Sequence, residues 1–320
     1  MKFLKKALSL GLVGAMTLGI MAGCSNGGDK SKDVVSTVDA GSGEAYKVYL
    51  ITMDQMDQHW VSVDEGAKAM AAALGSEIDY QWDAPDTKDN AKQIEKINNA
   101  VANGADLILL AANDPTAISD AIKNAKDKGV KIIYVDSGAK EEAITTLSTD
   151  NYNAGYTAGK TMLESIKNTS GSIGVIGVNT ATNSTMSRED GFRKAIEDDG
   201  RFTLLTTEYK DGDAAASQEA ALSFITAKND LVGLYGTNEG STTGVGNAIK
   251  ASGKEIIGVG FDKSDSITGL LEDGSLVATM AQNPYTMGYL GMAQAYAALK
   301  DLQTGPAIID TGVSVLEAEK

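Results

Sequence analysis

The chain has one cysteine, Cys24, and one histidine, His59. A lone thiol cannot close an internal disulfide, and one residue of each kind cannot supply the usual ligand set of a zinc site. The histidine has no serine elbow to work with, so a hydrolase built on a nucleophile and a neighbouring base is not supported. Carboxylates are plentiful, but no pair stands out by spacing as a glycosidase pair, and Asp211-Gly212-Asp213 lacks the rest of a calcium loop. Positive charge is scarce: 28 Lys and Arg against 43 Asp and Glu give a net charge of −15, which disfavours nucleic acid and anionic lipid as partners. No metal, no cofactor and no enzymatic activity are expected.

The N-terminal apolar run is also too short to be a permanent anchor. Ala7–Gly23 is an uncharged stretch of 17 residues, interrupted by Gly11, Gly14 and Gly19, where a bilayer span takes ~20. Lys2, Lys5 and Lys6 before it and Met21-Ala22-Gly23-Cys24 at its end make a secretory leader with a small-residue cleavage site. The cysteine after Ala-Gly resembles the lipobox of bacterial lipoproteins, which implies cleavage at residue 23, lipidation of Cys24 and a location on the outer face of the cell membrane. Two acyl chains are what stable anchoring takes. Loss of residues 1–23 removes three lysines and no acid, so the net charge moves from −15 to −18. Ser25–Ala45, rich in Gly, Ser, Asp and Lys without an apolar period, reads as a flexible spacer.

From Lys47 the pattern alternates short apolar runs with helical periods, as βαβ units of a parallel sheet do. Strands are predicted at Lys47–Met53, Ile78–Trp82, Leu107–Ala111 and Lys131–Val135. The helices between them, Trp60–Leu74, Lys88–Asn103 and Thr116–Lys128, are closed by Gly75, Gly104 and Gly129. A second series follows, with strands at Ser172–Val178, Phe202–Glu208, Leu231–Tyr235 and Glu255–Val259. Its helices are Asn151–Ile166, Thr185–Asp198, Ala214–Lys228 and Ser241–Ser252. Leu276–Met280, Pro284–Leu302 and Ile308–Leu316 complete the chain. Two such halves without a long linker predict two α/β lobes around a cleft.

Ligands of open parallel sheets sit outside the carboxyl ends of the strands. Asp54, Asp57, Asn113, Asp136 and Ser137 stand there in the first half, and Asn179, Asn238 and Asp262 in the second. Any one of them is more often a helix cap, but together they line one rim. His59-Trp60 opens the first helix, where a ring could cover the apolar face of a sugar while Asp57 bonds its hydroxyls; the alternative buries Trp60 in the core. Gly155 to Thr161 approaches a phosphate-binding loop, but its required first glycine is Ala154 and the run lies within a helix.

From about Tyr46 to Leu302 the chain resembles the ribose-binding type of periplasmic solute-binding protein. The resemblance rests on His59-Trp60-Val61-Ser62-Val63-Asp64-Glu65-Gly66, Asn113-Asp114-Pro115, Ser148-Thr149-Asp150-Asn151, Arg188-Glu189-Asp190-Gly191-Phe192, Thr237-Asn238-Glu239, Gly258-Val259-Gly260-Phe261-Asp262 and Ala281-Gln282-Asn283-Pro284. It implies two doubly wound parallel-sheet lobes joined by a multi-crossing hinge, with crossings at Thr149-Asp150, at Gln282-Asn283 and near Pro306. The first lobe would comprise 46–149 and 283–306, the second 150–282 and 307–320. The resemblance further implies an ABC-importer component that binds a small sugar-like molecule, works as a monomer and delivers to membrane permease subunits. Asp57, His59 and Trp60 would take the places of a polar residue and two stacking aromatics, and Asn113, Asp136, Asn238, Asp262 and Gln282 those of hydroxyl-binding residues. Two positions often held by arginine in the family are Ser137 and Met186 here, while Arg188 matches a usually structural one. Up to three carboxylates without a certain positive partner then point to a neutral polyol-like ligand first and an amino sugar second. The alternative is a receptor that senses a furanone-type signal or a nucleoside and feeds a membrane signalling partner.

Overall fold

A computed structural model describes residues 44–318; the leader and Cys24 lie outside them. The first series of elements is β1 (Tyr46–Ile51), α1 (Gln58–Leu74), β2 (Ile78–Trp82), α2 (Asn90–Ala102), β3 (Leu107–Leu110), α3 (Ser119–Asp127), β4 (Lys131–Val135) and β5 (Thr146–Ser148). The second runs α4 (Asn151–Ser165), β6 (Gly171–Gly177), α5 (Asn183–Asp199), β7 (Phe202–Leu204), β8 (Glu208–Tyr209), α6 (Ala214–Ala227), β9 (Leu231–Gly236), α7 (Glu239–Ser252), β10 (Ile257–Phe261), α8 (Asp265–Glu272) and β11 (Ala278–Gln282). Then come α9 (Pro284–Leu299), β12 (Ile308–Asp310) and β13 (Val313–Glu317).

Among the described residues these strands form two sheets, a six-stranded one in the order β12-β5-β4-β3-β1-β2 and a seven-stranded one in the order β13-β11-β10-β9-β6-β7, with β8 beside β6. All pairings are parallel except that of β11 with the terminal β13. Parallel strands covered on both faces are apolar on both faces, and the sequence follows this. In β1, Val48 and Leu50 pack under α1 and α9, while Tyr49 and Ile51 turn to the α2 and α3 side. In β3, Leu107 and Leu109 take the first face and Ile108 and Leu110 the second.

The chain leaves the first sheet at Thr149-Asp150 and returns to it after Gln282. The third crossing falls later than expected. Ile308–Asp310 still pairs with β5 in the first sheet, and only Val313–Glu317 joins the second, so the passage is at Thr311-Gly312 rather than near Pro306. The terminal segment Ile308–Leu316 holds two strands in different sheets, and the single strand expected over Phe202–Glu208 breaks into β7 and β8. The strand expected at Glu255–Val259 lies further on, at Ile257–Phe261.

Both lobes use glycine to bring a pair of helices together. Gly66 of α1 faces the backbone of Tyr285 and Tyr289 on α9, and Gly155 of α4 lies against the carbonyl of Arg188 on α5. A Cβ at position 155 would stand 2.0 Å from that carbonyl oxygen, and the neighbour is backbone, which cannot swing aside. Overpacking of this kind costs about 1–3 kcal/mol, so Gly155→Ala is expected to lower the melting temperature by roughly 2–12 °C at about 2–4 °C per kcal/mol. Calorimetry that found the two proteins melting within a degree would rule out tight contact at this point.

Candidate functional site

β4 and β10 occupy corresponding places in the two sheets, and each is followed by an aspartate with left-handed backbone, Asp136 at φ 62° and Asp262 at φ 72°. A non-glycine residue at positive φ is uncommon and strained, and such residues cluster at functional sites. Both are almost fully buried and both line one central cavity, together with Asp57, His59, Trp60, Lys88, Arg188, Asn238 and Gln282.

His59, from the first turn of α1, lies between the two aspartates. Its Nε2 is 3.5 Å from Asp136 Oδ1 and its Nδ1 3.6 Å from Asp262 Oδ1, which are ion contacts rather than well-formed hydrogen bonds. Burial works against a charged imidazole, but Asp136 and Asp262 outweigh it and the opposing Arg188, so His59 titrates above the ordinary histidine range. The stabilisation that its proton brings is present below the unfolded value and is lost as pH rises through the folded one. Burial likewise acts to raise Asp136, yet His59, Arg188 and the Ser137 hydroxyl bring it down to about 2. His59 Nε2 and Asp136 Oδ1 are nonetheless buried without a hydrogen-bond partner, and buried polar groups are seldom left so.

The cavity is better supplied with positive charge than the sequence suggested. Arg188 was expected to be structural, and in part it is: its Nε donates to Asn151 Oδ1 at 2.7 Å, one Nη donates to the Thr237 carbonyl at 3.1 Å, and the guanidinium stacks on Phe261 at 3.9 Å. The same group faces Asp136 at 3.5 Å and Asp262 at 4.0 Å, so those carboxylates have a cationic neighbour after all. Lys88 was missed. From the loop after β2 its Nζ reaches Asp54 and Asp57, both at 2.8 Å. Burial favours neutral carboxyls at both, but Lys88 and two backbone N–H groups hold Asp54 below the usual range, whereas burial and the Asp54 and Asp262 charges leave Asp57 above it. A sequence signal for Lys88 existed, since it stands on the same carboxyl-end rim as the residues selected there.

The remaining expectations divide. Asn238 is a cap as well as a lining residue: its Oδ1 accepts from Ser241 N in a capping box on α7. Gln282 donates to Asp262 Oδ1 at 2.6 Å and accepts from the hinge residue Thr149 at 2.9 Å. Trp60 belongs to the core of the first lobe and also edges the cavity, perpendicular to the His59 ring at 4.6 Å. Asn113, Ser137 and Met186 lie outside the cavity lining. The Asn113 side-chain amide donates to Asn90, and the Asn113 backbone carbonyl accepts from the Thr182 hydroxyl of the other lobe at 2.9 Å. Ser137 meets Ser184 across the cleft at 2.7 Å, and Met186 lies beneath the Tyr209 hydroxyl. Thr182, Ser184 and Thr185, all near the start of α5, line the cavity without having been singled out.

With the lobes bonded to each other, the space left among these residues is about 30 Å³, far below the ~300–1,000 Å³ of ligand pockets. Two larger clefts adjoin it, of about 450 Å³ sharing Asp136 and Ser184 and of about 470 Å³ sharing Asp57 and Lys88. The structure is thus a closed form whose polar centre is filled by its own imidazole.

Two α/β lobes with a charged, hydroxyl-lined cleft at the carboxyl ends of their strands define a hinged ligand-binding protein. The comparisons with known proteins make this specific. Residues 48–303 match the model described as periplasmic binding protein domain, and the chain belongs to that family, which consists of solute-binding transport proteins. The ribose import binding protein of Haemophilus influenzae is 26% identical over 264 residues, 82% of this chain and 88% of that one. Its counterpart in Bacillus subtilis is 25% identical, covering 91% and 92%. Among solved structures, an ABC transporter solute-binding protein from Agrobacterium vitis with bound D-fucose superposes with a TM-score of 0.81 at 29% identity, over 85% of this chain and 95% of that one. A sugar transporter from Clostridium phytofermentans gives 0.77 at 30% identity, over 86% and 100%.

Proposed function

We propose that the chain is the extracytoplasmic solute-binding component of an ABC importer, tethered through a lipidated Cys24, and that it holds a neutral monosaccharide or an amino sugar between its lobes. The observation that carries this reading is the convergence of Asp136 and Asp262, one from each lobe, in strained conformations on a single cavity. Each carboxylate can accept hydrogen bonds from two hydroxyls, which suits adjacent hydroxyls of a sugar ring, while Asn238 and Gln282 add amide groups. Asp54, Asp57, Asp136 and Asp262 are set against Lys88, Arg188 and a protonated His59, a near balance with a slight acidic surplus. A uronic acid would upset it, a neutral ring would not, and an ammonium group could take the place of the imidazolium.

A sugar cannot enter the closed form, so the lobes part about Thr149-Asp150, Asn283 and Thr311-Gly312. The ligand displaces His59 from the midpoint, and the closed population rises because that form binds the ligand better. Permease subunits then read the closed lobes, and no covalent step is involved. A thermal-shift screen of the protein tests this against ribose, allose, arabinose, fucose, glucosamine and glucuronic acid. Ligand at ~100 times its dissociation constant adds about 2.7 kcal/mol, a rise of roughly 5–11 °C at about 2–4 °C per kcal/mol, expected for a neutral or amino sugar. A shift with glucuronic acid alone would overturn the charge argument.

A further inference from the structure

We infer that Gln58 and Glu239, neither of which lines the sugar cavity, act as an inter-lobe latch in which each side chain caps the first turn of a helix in the opposite lobe. Gln58 is the first residue of α1, and its Oε1 accepts from the backbone N–H of Asp265, the first residue of α8, at 3.1 Å. Glu239 is the first residue of α7, and its two carboxyl oxygens accept from the N–H groups of Gln58 and His59 at 3.4 and 3.3 Å. The first four N–H groups of a helix have no partner within it. α1 needs outside help more than most, because the carboxylate of its own N-cap residue, Asp57, makes no cap bond and is turned to Lys88. Opening the cleft strips these N–H groups of their partners in the other lobe and returns them to water. The three bonds therefore position the lobes in the closed form without touching the ligand. The inference uses the hinged-lobe reading but not the identity of the sugar.

The latch is proton-linked. Burial, followed by the charges of Asp57 just before α1 and Asp262 after β10, holds the Glu239 carboxyl at about 7, against the pull of the Gln58 and His59 N–H groups. The groove beside it adds Asp54, Asp86, Asp211 and Asp213, with Lys88 as the cation facing it. In the open form the carboxyl returns toward the ordinary range, so closure takes up a proton there, and closure is favoured as pH falls through about 7. A protonated carboxyl keeps a C=O acceptor for the cap and sheds the repulsion. His59 shifts in the same direction.

The test needs no ligand. The full chain with Cys24→Ser carries a fluorescent donor and acceptor at Leu302→Cys and Lys228→Cys, both exposed, and energy transfer gives the closed-to-open ratio from pH 5.5 to 8. Loss of a cap is worth enough that Gln58→Ala should lower this ratio about three- to tenfold at every pH. Glu239→Gln keeps an acceptor without the charge. It should be more closed than wild type at pH 8, by a margin that narrows as pH falls toward 5.5, and should retain only the part of the pH slope that His59 supplies. A ratio unchanged by Gln58→Ala, or a Glu239→Gln protein that follows wild type across the whole range, overturns the latch. Either result leaves sugar binding untouched, because the screen above decides that separately.

Discussion

Arg188→Met is expected to lower the melting temperature of the ligand-free protein by roughly 6–20 °C, the largest loss of stability for any single side chain of the site. Arg188 is 2% exposed, so its bonds to Asn151 and Thr237 and its place over Phe261 are made away from water. Removing one partner from a buried charged pair costs about 3–5 kcal/mol, because the other charge stays behind uncompensated, and a domain of this size loses about 2–4 °C per kcal/mol. Here the charges left behind are Asp136 and Asp262, with only His59 between them. Methionine retains an unbranched side chain of similar reach, which separates the charge from the packing. Arg188→Lys should recover part of the loss, since an ammonium restores the charge but cannot stack on Phe261 or reproduce the two-sided bonding of the fork. Calorimetry at pH 7 checks this, and a drop of less than about 3 °C in Arg188→Met would show that the aspartates do not depend on it.

That dependence marks the limit of what the sequence disclosed. Local chemistry was legible: Ile78–Trp82 and Lys131–Val135 coincide with strands residue for residue, and Gly75, Gly104 and Gly129 have the positive φ expected after a helix. The rim was legible for the same reason, since the carboxyl ends of strands are fixed once the strands are. Harder features depend on distance in the chain. The guanidinium of Arg188 meets Asp136 and Asp262 only because α5, β4 and β10 come together across the cleft, and Lys88 reaches Asp54 and Asp57 at the end of a long flexible stem. Spacing along a sequence does not encode these meetings. The eight residues of α8 and the three of Thr146–Ser148 are too short to build a period. Asn113 and Ser137 stand on the rim by position, but in the closed form the Asn113 backbone carbonyl and the Ser137 hydroxyl bond to Thr182 and Ser184 of the opposite lobe, which a one-sided view of either lobe could not anticipate.

Asp262→Asn is expected to weaken binding of whichever sugar gives the strongest thermal shift by about 10- to 100-fold, since a hydrogen bond to a charged group is worth about 1.5–3 kcal/mol. Asparagine is a better probe than alanine here. It tolerates the left-handed backbone at φ 72°, where alanine would add strain, and its carbonyl can still accept from Gln282. What it removes is the negative charge 3.6 Å from His59 and one acceptor for a hydroxyl. The substitution also has a signature that a loss of fold would not produce. His59 is the only histidine in the chain, so its imidazole gives a single Hε1 resonance. Asp262 is one of the two carboxylates that raise its titration, and without it the resonance should titrate closer to the ordinary histidine range. The stabilisation tied to that proton, present below the unfolded value, would then be lost at a lower pH than in the native protein. Unchanged affinity would remove Asp262 from the binding site. Weakened affinity with an unmoved His59 titration would keep it as a ligand contact while showing that the imidazole lies away from it in solution, and the closed form filled by its own histidine would not be the resting state.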